Sequence, residues 1–290
     1  MDRKYVIVYQ MGRVGSSLIY NSFNNQELKV FHTHYLNKKE IREIKEYASS
    51  KKLPLDFKRI MDHRYEAFLF VDNMIKENSK KTYFVITVVR DPISVIISYF
   101  FMYFSLEGIR KKSIKRVKGR RSNDKVIPIE DLKKKFLNTI KNYKSVFKNN
   151  NILDRAKSYY LQFPLNFFDI EMKNSLGIDV YKIPFDNEKG YNIYKNEKVK
   201  ILLLKYEVMF DNIEENINNF LDIDNFRLKD VRSRRTKSKN RYYHYQEFIK
   251  DIVIPDEVLK YYYSSKYVKH FYSEEEIKSF YEKWGKRGLV

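Results

Sequence analysis

Residues 4–20, Lys-Tyr-Val-Ile-Val-Tyr-Gln-Met-Gly-Arg-Val-Gly-Ser-Ser-Leu-Ile-Tyr, constrain this chain more than any other stretch. Tyr5 to Tyr9 are all β-branched or aromatic, as a central strand buried on both faces requires. Gly12 and Gly15 then bracket Arg13 and Val14, and Ser16 and Ser17 open an amphipathic turn carrying Leu18, Ile19 and Phe23. A tight glycine loop between a strand and a helix brings several free backbone N–H groups to one point. With the positive end of the helix dipole, that geometry binds a phosphate. Gly-Ser loops also join strands to helices where no ligand binds, so the loop alone leaves both readings open.

Three further apolar runs read as strands: Leu28 to His32, Thr82 to Val89 and Val199 to Leu204. Residues 38–78 look helical and charged, with a break at Pro54. Helical spacing from Pro92 puts Ile93, Ile96, Ile97, Phe100, Phe101 and Phe104 on one face. Further helices are predicted over Glu130 to Lys148, Asp211 to Leu221, Pro255 to Tyr263 and up to Trp284, the last with Ser273 and Glu276 at capping-box spacing. Strands alternating with helices define the α/β class with a mainly parallel sheet. No composition break or Pro/Gly-rich linker divides the 290 residues. One domain over 1–290 is therefore expected, with a basic insertion or lid around 106–130 and a helical C-terminal part over 242–290.

The net charge of +20 points to an anionic partner: nucleic acid, an acidic membrane surface, a polyanionic glycan or a multiply charged nucleotide. A lysine-rich solvated surface is the plain alternative. Basic residues concentrate in Arg110 to Arg121, read as a mobile loop or a lid, and in Ser233 to Arg241. The second cluster includes Arg235 and Lys237 and is placed to close over an anionic ligand. The chain has no cysteine, which excludes disulfides, thiolate metal sites and cysteine nucleophiles. A cytoplasmic location is expected, and a strand entered by residue 5 is expected to leave no room for a signal peptide. The longest apolar run, Ile93 to Phe104, is too short to span a bilayer.

His32 and His34 fall at the end of the second strand, and alternation sends both to one face. Ligands of open α/β sheets bind beside such strand ends. With a reference pKa of about 6.5, a histidine there suits a general base. No third metal ligand lies near in sequence. Arg90 ends the third strand and Ser98 lies two turns into the next helix, so both can address one anion; an arginine paired with a neighbouring carboxylate is the alternative. Phe167-Phe-Asp-Ile-Glu171 reads as an acceptor-pocket wall or as core. The first loop departs from G-x-x-x-x-G-K-[ST]: two residues separate its glycines and no lysine precedes Ser16. No acidic strand end is apparent to hold magnesium, so a kinase or NTPase is disfavoured.

In order and spacing these motifs resemble the sulfotransferases that use 3′-phosphoadenosine 5′-phosphosulfate. Gly12-Arg-Val-Gly-Ser-Ser17 is similar to their 5′-phosphosulfate loop, with Arg13 in place of the usual lysine at the bridging oxygen. Thr33-His34-Tyr35-Leu36 is similar to the stretch that supplies their base. Arg90 to Ser98 is similar to their 3′-phosphate motif, and Val199 to Glu207 to their late strand ending in Arg-Tyr-Glu. A closer resemblance, carried by Tyr9 to Ser17 and by His270 to Glu276 and Trp284, is to a bacterial family named for capsular polysaccharide synthesis and an Asn-Lys-Trp-Tyr-Ser motif. Asn240-Arg-Tyr-Tyr-His244 keeps the asparagine and one tyrosine of that motif.

The resemblance implies a P-loop-like three-layer fold and sulfuryl transfer to a hydroxyl of a glycan or glycoconjugate, with no metal required. His34 would be the base, Arg13 would stabilise the leaving oxygen and His32 would orient the sulfuryl group. Gly12, Val14, Gly15, Ser16 and Ser17 would hold the 5′-phosphate, Arg90 and Ser98 the 3′-phosphate, and Arg235 and Lys237 would close over the donor. Peripheral contact with an anionic inner membrane surface is a further expectation; nucleic acid is not an expected partner. The competing classes are a basic nucleic-acid-binding protein without catalysis, in which the two basic clusters contact phosphates, and a sulfotransferase-like fold that binds ligand without turnover.

Overall fold

The structure is a computed structural model that describes residues 4–23, 27–34, 36–39, 41–42, 46, 65–66, 68–73, 75–76, 81–101, 128–141, 164–229 and 239–285. Five strands form one sheet: β1 (Lys4–Tyr9), β2 (Leu28–Thr33), β3 (Tyr83–Val89), β4 (Tyr191–Lys195) and β5 (Val199–Lys205), in the order β2-β1-β3-β5-β4. The first four in that order run parallel, and β4 pairs antiparallel at the edge. Val6, Ile7, Val8 and Tyr9 are buried in succession, as are Val85 to Val89 and Ile201 to Leu204. Consecutive burial means that both faces of the sheet are covered, which makes this a three-layer α/β fold.

Helices α1 (Ser16–Ser22), α2 (92–101), α3 (Ile129–Lys141), α4 (Met209–Leu221), α5 (Lys239–Lys250), α6 (Asp256–Tyr263), α7 (Lys266–Phe271) and α8 (Glu274–Trp284) supply that cover. The apolar face expected on α2 is buried at Ile93, Ile96, Ile97, Phe100 and Phe101; Phe104 lies outside the described residues. In α3 Phe136 and Ile140 are buried as expected, and residues beyond Lys141 lie outside the described set. The capping box of α8 is formed: Ser273 Oγ accepts from the Glu276 N–H, and the Glu276 carboxylate accepts from the Ser273 N–H.

Two elements between residues 164 and 195 are not foreseen by the sequence reading. A strand, β4, stands where only an aromatic-rich segment is legible, and a π-helical turn spans Phe168–Lys173. Phe167 and Phe168 belong to the core, and Glu171 is fully buried. The Glu171 carboxylate accepts from Tyr9 Oη at 2.5 Å and from the N–H groups of Leu36 and Asn37 at 2.8 Å. This segment therefore braces the chain leaving β2 rather than lining a pocket. Burial and the adjacent carboxylate hold the Tyr9 phenol well above its ordinary range, so it stays a donor to Glu171.

Candidate functional site at the ends of the parallel strands

The loop from Gly12 to Gly15 turns through left-handed backbone at Gly12 (φ 81°), Arg13 (φ 60°) and Gly15 (φ 89°). Glycine adopts this conformation freely, whereas for an arginine it costs about 1–2 kcal/mol. Strain of that kind persists only where the surroundings impose it, commonly at ligand sites. Tyr99 imposes part of it by donating its hydroxyl to the Met11 carbonyl, so its ring lies against Gly12. Gly12→Ala should therefore lower stability by about 1–2 kcal/mol or more, because the new methyl meets the Tyr99 hydroxyl in disfavoured backbone. A melting temperature within 1 °C of wild type, on a scale of roughly 2–4 °C per kcal/mol, would contradict this packing.

α1 starts at Ser16, and its N-cap residue Gly15 provides no side-chain cap for the first turn. Ser16 and Val14 are buried, Val14 as part of the core, so Val14 can offer a ligand only its backbone. Ser17 is exposed.

The structure brings Arg13, Arg90 and Ser98 together. Arg13 Nε donates to Ser98 Oγ at 2.9 Å, and an Arg90 guanidinium nitrogen donates to the Arg13 carbonyl at 2.7 Å. The Arg90 guanidinium also lies over the Tyr206 ring, 4.2 Å from its centroid. Sequence reading missed Tyr206 as a neighbour, although the signal exists: Val89 and Lys205 are in register, so the next residues emerge side by side. A β-carbon on Gly15 would lie 3.4 Å from Tyr206 and 3.2 Å from Met209, so loop, arginine and tyrosine pack as one unit.

The two histidines share a face, as alternation predicts. Their rings meet edge to face at 4.7 Å, and His32 stacks on Tyr20 of α1 at 5.4 Å. His34 Nδ1 lies 2.7 Å from the Gln10 carbonyl oxygen. A carbonyl only accepts, so Nδ1 carries a proton, and in the neutral tautomer with that proton the lone pair lies on Nε2. A β-carbon on Gly12 would lie 3.5 Å from His34 Cε1, so the imidazole borders the loop directly.

The C-terminal helices grip the strand ends beneath Arg90. The Tyr267 hydroxyl accepts from the Arg90 N–H at 2.9 Å and donates to the Arg90 carbonyl at 2.8 Å. Asp91 caps α2 through the N–H groups of Ile93 and Ser94, and also accepts from Tyr263 and the Trp284 indole. Glu207 accepts from the Asp91 N–H and the Tyr272 hydroxyl. Burial of its carboxyl, with the Asp91 charge beside it, pushes Glu207 up to about 7, although the rest of the residue reaches solvent. Among the described residues the Arg90 guanidinium engages a carbonyl and a ring, and no carboxylate forms an ion pair with it as the plain alternative expects.

Tyr35, Arg235 and Lys237, and the basic segment up to residue 127, lie outside the described residues. Among the described residues no group of three His, Asp or Glu is placed to hold a metal ion, and no helix is long and apolar enough to cross a membrane.

Fold and site together define an α/β protein with a strand–glycine loop–helix unit and a cation–hydroxyl cluster at the ends of its parallel strands. Residues 131–273 match the model of the family described as "NKWYS: Putative capsular polysaccharide synthesis protein". The match spans just under half of the chain and takes in Glu171, Lys205, Glu207 and Tyr267. The loop, both histidines, Arg90 and Ser98 precede it. No curated protein and no solved structure matches the chain.

Proposed function

We propose that this protein is a sulfotransferase that uses 3′-phosphoadenosine 5′-phosphosulfate and modifies a hydroxyl of a glycan or glycoconjugate in capsular or surface polysaccharide synthesis. The observation that carries this reading is the convergence of Arg13, Arg90 and Ser98, 77 and 85 residues apart in sequence, on one loop bordered by His34. Two cationic forks and a hydroxyl beside a glycine loop suit a ligand with two separated anionic groups, and the donor has two. The family description supports a glycan acceptor.

The residues fit the donor. The backbone N–H groups opening α1 and the Ser17 hydroxyl would hold the 5′-phosphate, and Arg90 and Ser98 the 3′-phosphate, which ATP lacks. Bound there, the donor would supply a sulfuryl group on a phosphate leaving group. Arg13, part of the loop and bonded to Ser98, would offset charge that develops on the leaving oxygen. His34 would take the acceptor hydroxyl proton on Nε2 while Gln10 holds Nδ1. His32, wedged between Tyr20 and His34, keeps that ring in orientation.

Adenosine 3′,5′-bisphosphate should stabilise the protein thermally, and ATP and duplex DNA should do so much less. Stabilisation by DNA or ATP without the bisphosphate would sink the proposal. Arg90→Ala should weaken bisphosphate binding about 10- to 100-fold, the loss of charge-assisted hydrogen bonds. The same change should leave binding of adenosine 5′-monophosphate nearly unaltered. Equal losses for both ligands in calorimetric titration would show that Arg90 does not read the 3′-phosphate.

A further inference from the structure

Gln10 follows the last residue of β1 and is fully buried, yet among the described residues neither Oε1 nor Nε2 of its side chain has a hydrogen-bond partner. Its backbone is fully engaged: the N–H donates to the Thr33 carbonyl at 3.3 Å and the carbonyl accepts from His34. Only the amide is left over. Burying a primary amide with both atoms unpaired costs stability and gives the fold nothing in return, and buried polar groups in folded proteins are nearly always satisfied. A leucine of similar size would satisfy the core better.

Direction comes from register. Val8 pairs with His32 in the parallel β1–β2 ladder, so the two share a face of the sheet. Alternation returns Gln10, two residues on, to that same face. Tyr20 of α1 covers His32 there, and residues 11–15 link this strand end to α1. The orphaned amide thus shares a face with the imidazole pair and immediately precedes the loop.

We infer that the Gln10 side chain is a ligand-binding group of this site, in which Nε2 donates to an anionic oxygen of the transferred group and Oε1 accepts from a second hydroxyl of the acceptor, beside the one whose proton goes to His34. The inference rests on the sulfotransferase reading. A carboxamide offers two donor hydrogens and an acceptor oxygen on one group without adding charge. Gln10 would therefore position the acceptor so that its attacking hydroxyl faces His34, and contribute to choosing an acceptor, while contributing little to the adenosine bisphosphate portion of the donor.

The test is Gln10→Leu in the full chain, read in three ways. Its melting temperature without ligand should equal or exceed that of wild type, because an unpaired amide is replaced by an apolar group. Its affinity for adenosine 3′,5′-bisphosphate should stay within about twofold. Its rate of sulfuryl transfer should fall about 10- to 100-fold, as expected when a hydrogen bond to a charged or reacting group is lost. A melting temperature lowered by several degrees would mean that the amide is bonded within the fold, and would overturn the inference whatever the ligand. A stable variant with unchanged transfer would also overturn it. Wild-type protein that binds no bisphosphate would sink the sulfotransferase reading itself and this inference with it, whereas the first two outcomes leave that reading intact.

Discussion

His34→Ala should lower sulfuryl transfer about 10²–10⁴-fold, the usual contribution of a positioned general base, while bisphosphate affinity changes by no more than about twofold. The asymmetry follows from the site. Arg13, Arg90, Ser98 and the loop amides would hold the anionic groups, and the bonds that join Arg13 to Ser98 and Arg90 to Arg13 do not involve the imidazole. The imidazole instead borders Gly12 with Nδ1 tied to the Gln10 carbonyl, which fixes both the tautomer and the direction of Nε2. His32→Ala should cost less, because His32 acts by packing between Tyr20 and His34. Release of adenosine 3′,5′-bisphosphate in the presence of a glycan acceptor measures the rate, and calorimetry measures the affinity. A His34→Ala protein with transfer within threefold of wild type would remove His34 from the mechanism. Parallel losses of transfer and binding would make it a structural residue.

The largest stability effect is expected at Glu276→Ala, far in sequence from the loop. Lys205 ends β5 with its side chain wholly inaccessible, and both carboxylate oxygens of Glu276 lie 2.9 Å from its ammonium. Asn187 Oδ1 at 2.6 Å and the rings of Tyr272 and Phe185 complete the surroundings. Removing one member of a buried pair leaves a charge in a medium that solvates it poorly, which typically costs about 3–5 kcal/mol. Because Glu276 is partly open to water, about 3 kcal/mol is expected here. The same carboxylate closes the capping box of α8, so Glu276→Gln, which can still cap but carries no charge, should recover part of the loss. Urea denaturation of the three proteins separates these contributions. A Glu276→Ala loss below about 1 kcal/mol would show that Lys205 finds its counter-charge elsewhere.

The parallel strands were legible because their residues are apolar in unbroken runs, and each observed strand starts and ends within a residue of its expected limits. β4 was not legible. As an edge strand, Tyr191-Asn-Ile-Tyr-Lys195 mixes polar and apolar residues, and Ile193 is half exposed. Its turn carried the better signal: Asn196 Oδ1 accepts from the N–H groups of Lys198 and Val199, closing the hairpin to β5. From sequence alone Phe167 to Glu171 reads as a pocket wall or as core, and the full burial of Glu171 decides for core. The π-helical turn that swings it inward to Tyr9 depends on tertiary packing that no local pattern encodes.

At the site, strand ends and helix starts were enough to bring His34, Arg90 and Ser98 to one end of the parallel strands. The bond from Arg13 to Ser98 joins groups that the sequence reading had assigned to two separate phosphates. That link was hidden because it depends on the left-handed turn at Arg13, a conformation unusual for arginine. The Lys205–Glu276 and Tyr267–Arg90 contacts span 71 and 177 residues and are set by how the C-terminal helices dock on the strand ends.

A crystal structure with adenosine 3′,5′-bisphosphate bound tests the central claim most directly. The account predicts the 3′-phosphate on Arg90 and Ser98, the 5′-phosphate on the N–H groups opening α1, and His34 Nε2 facing the space beyond the 5′-phosphate. A bisphosphate bound away from these residues, or held in the opposite orientation, would contradict it.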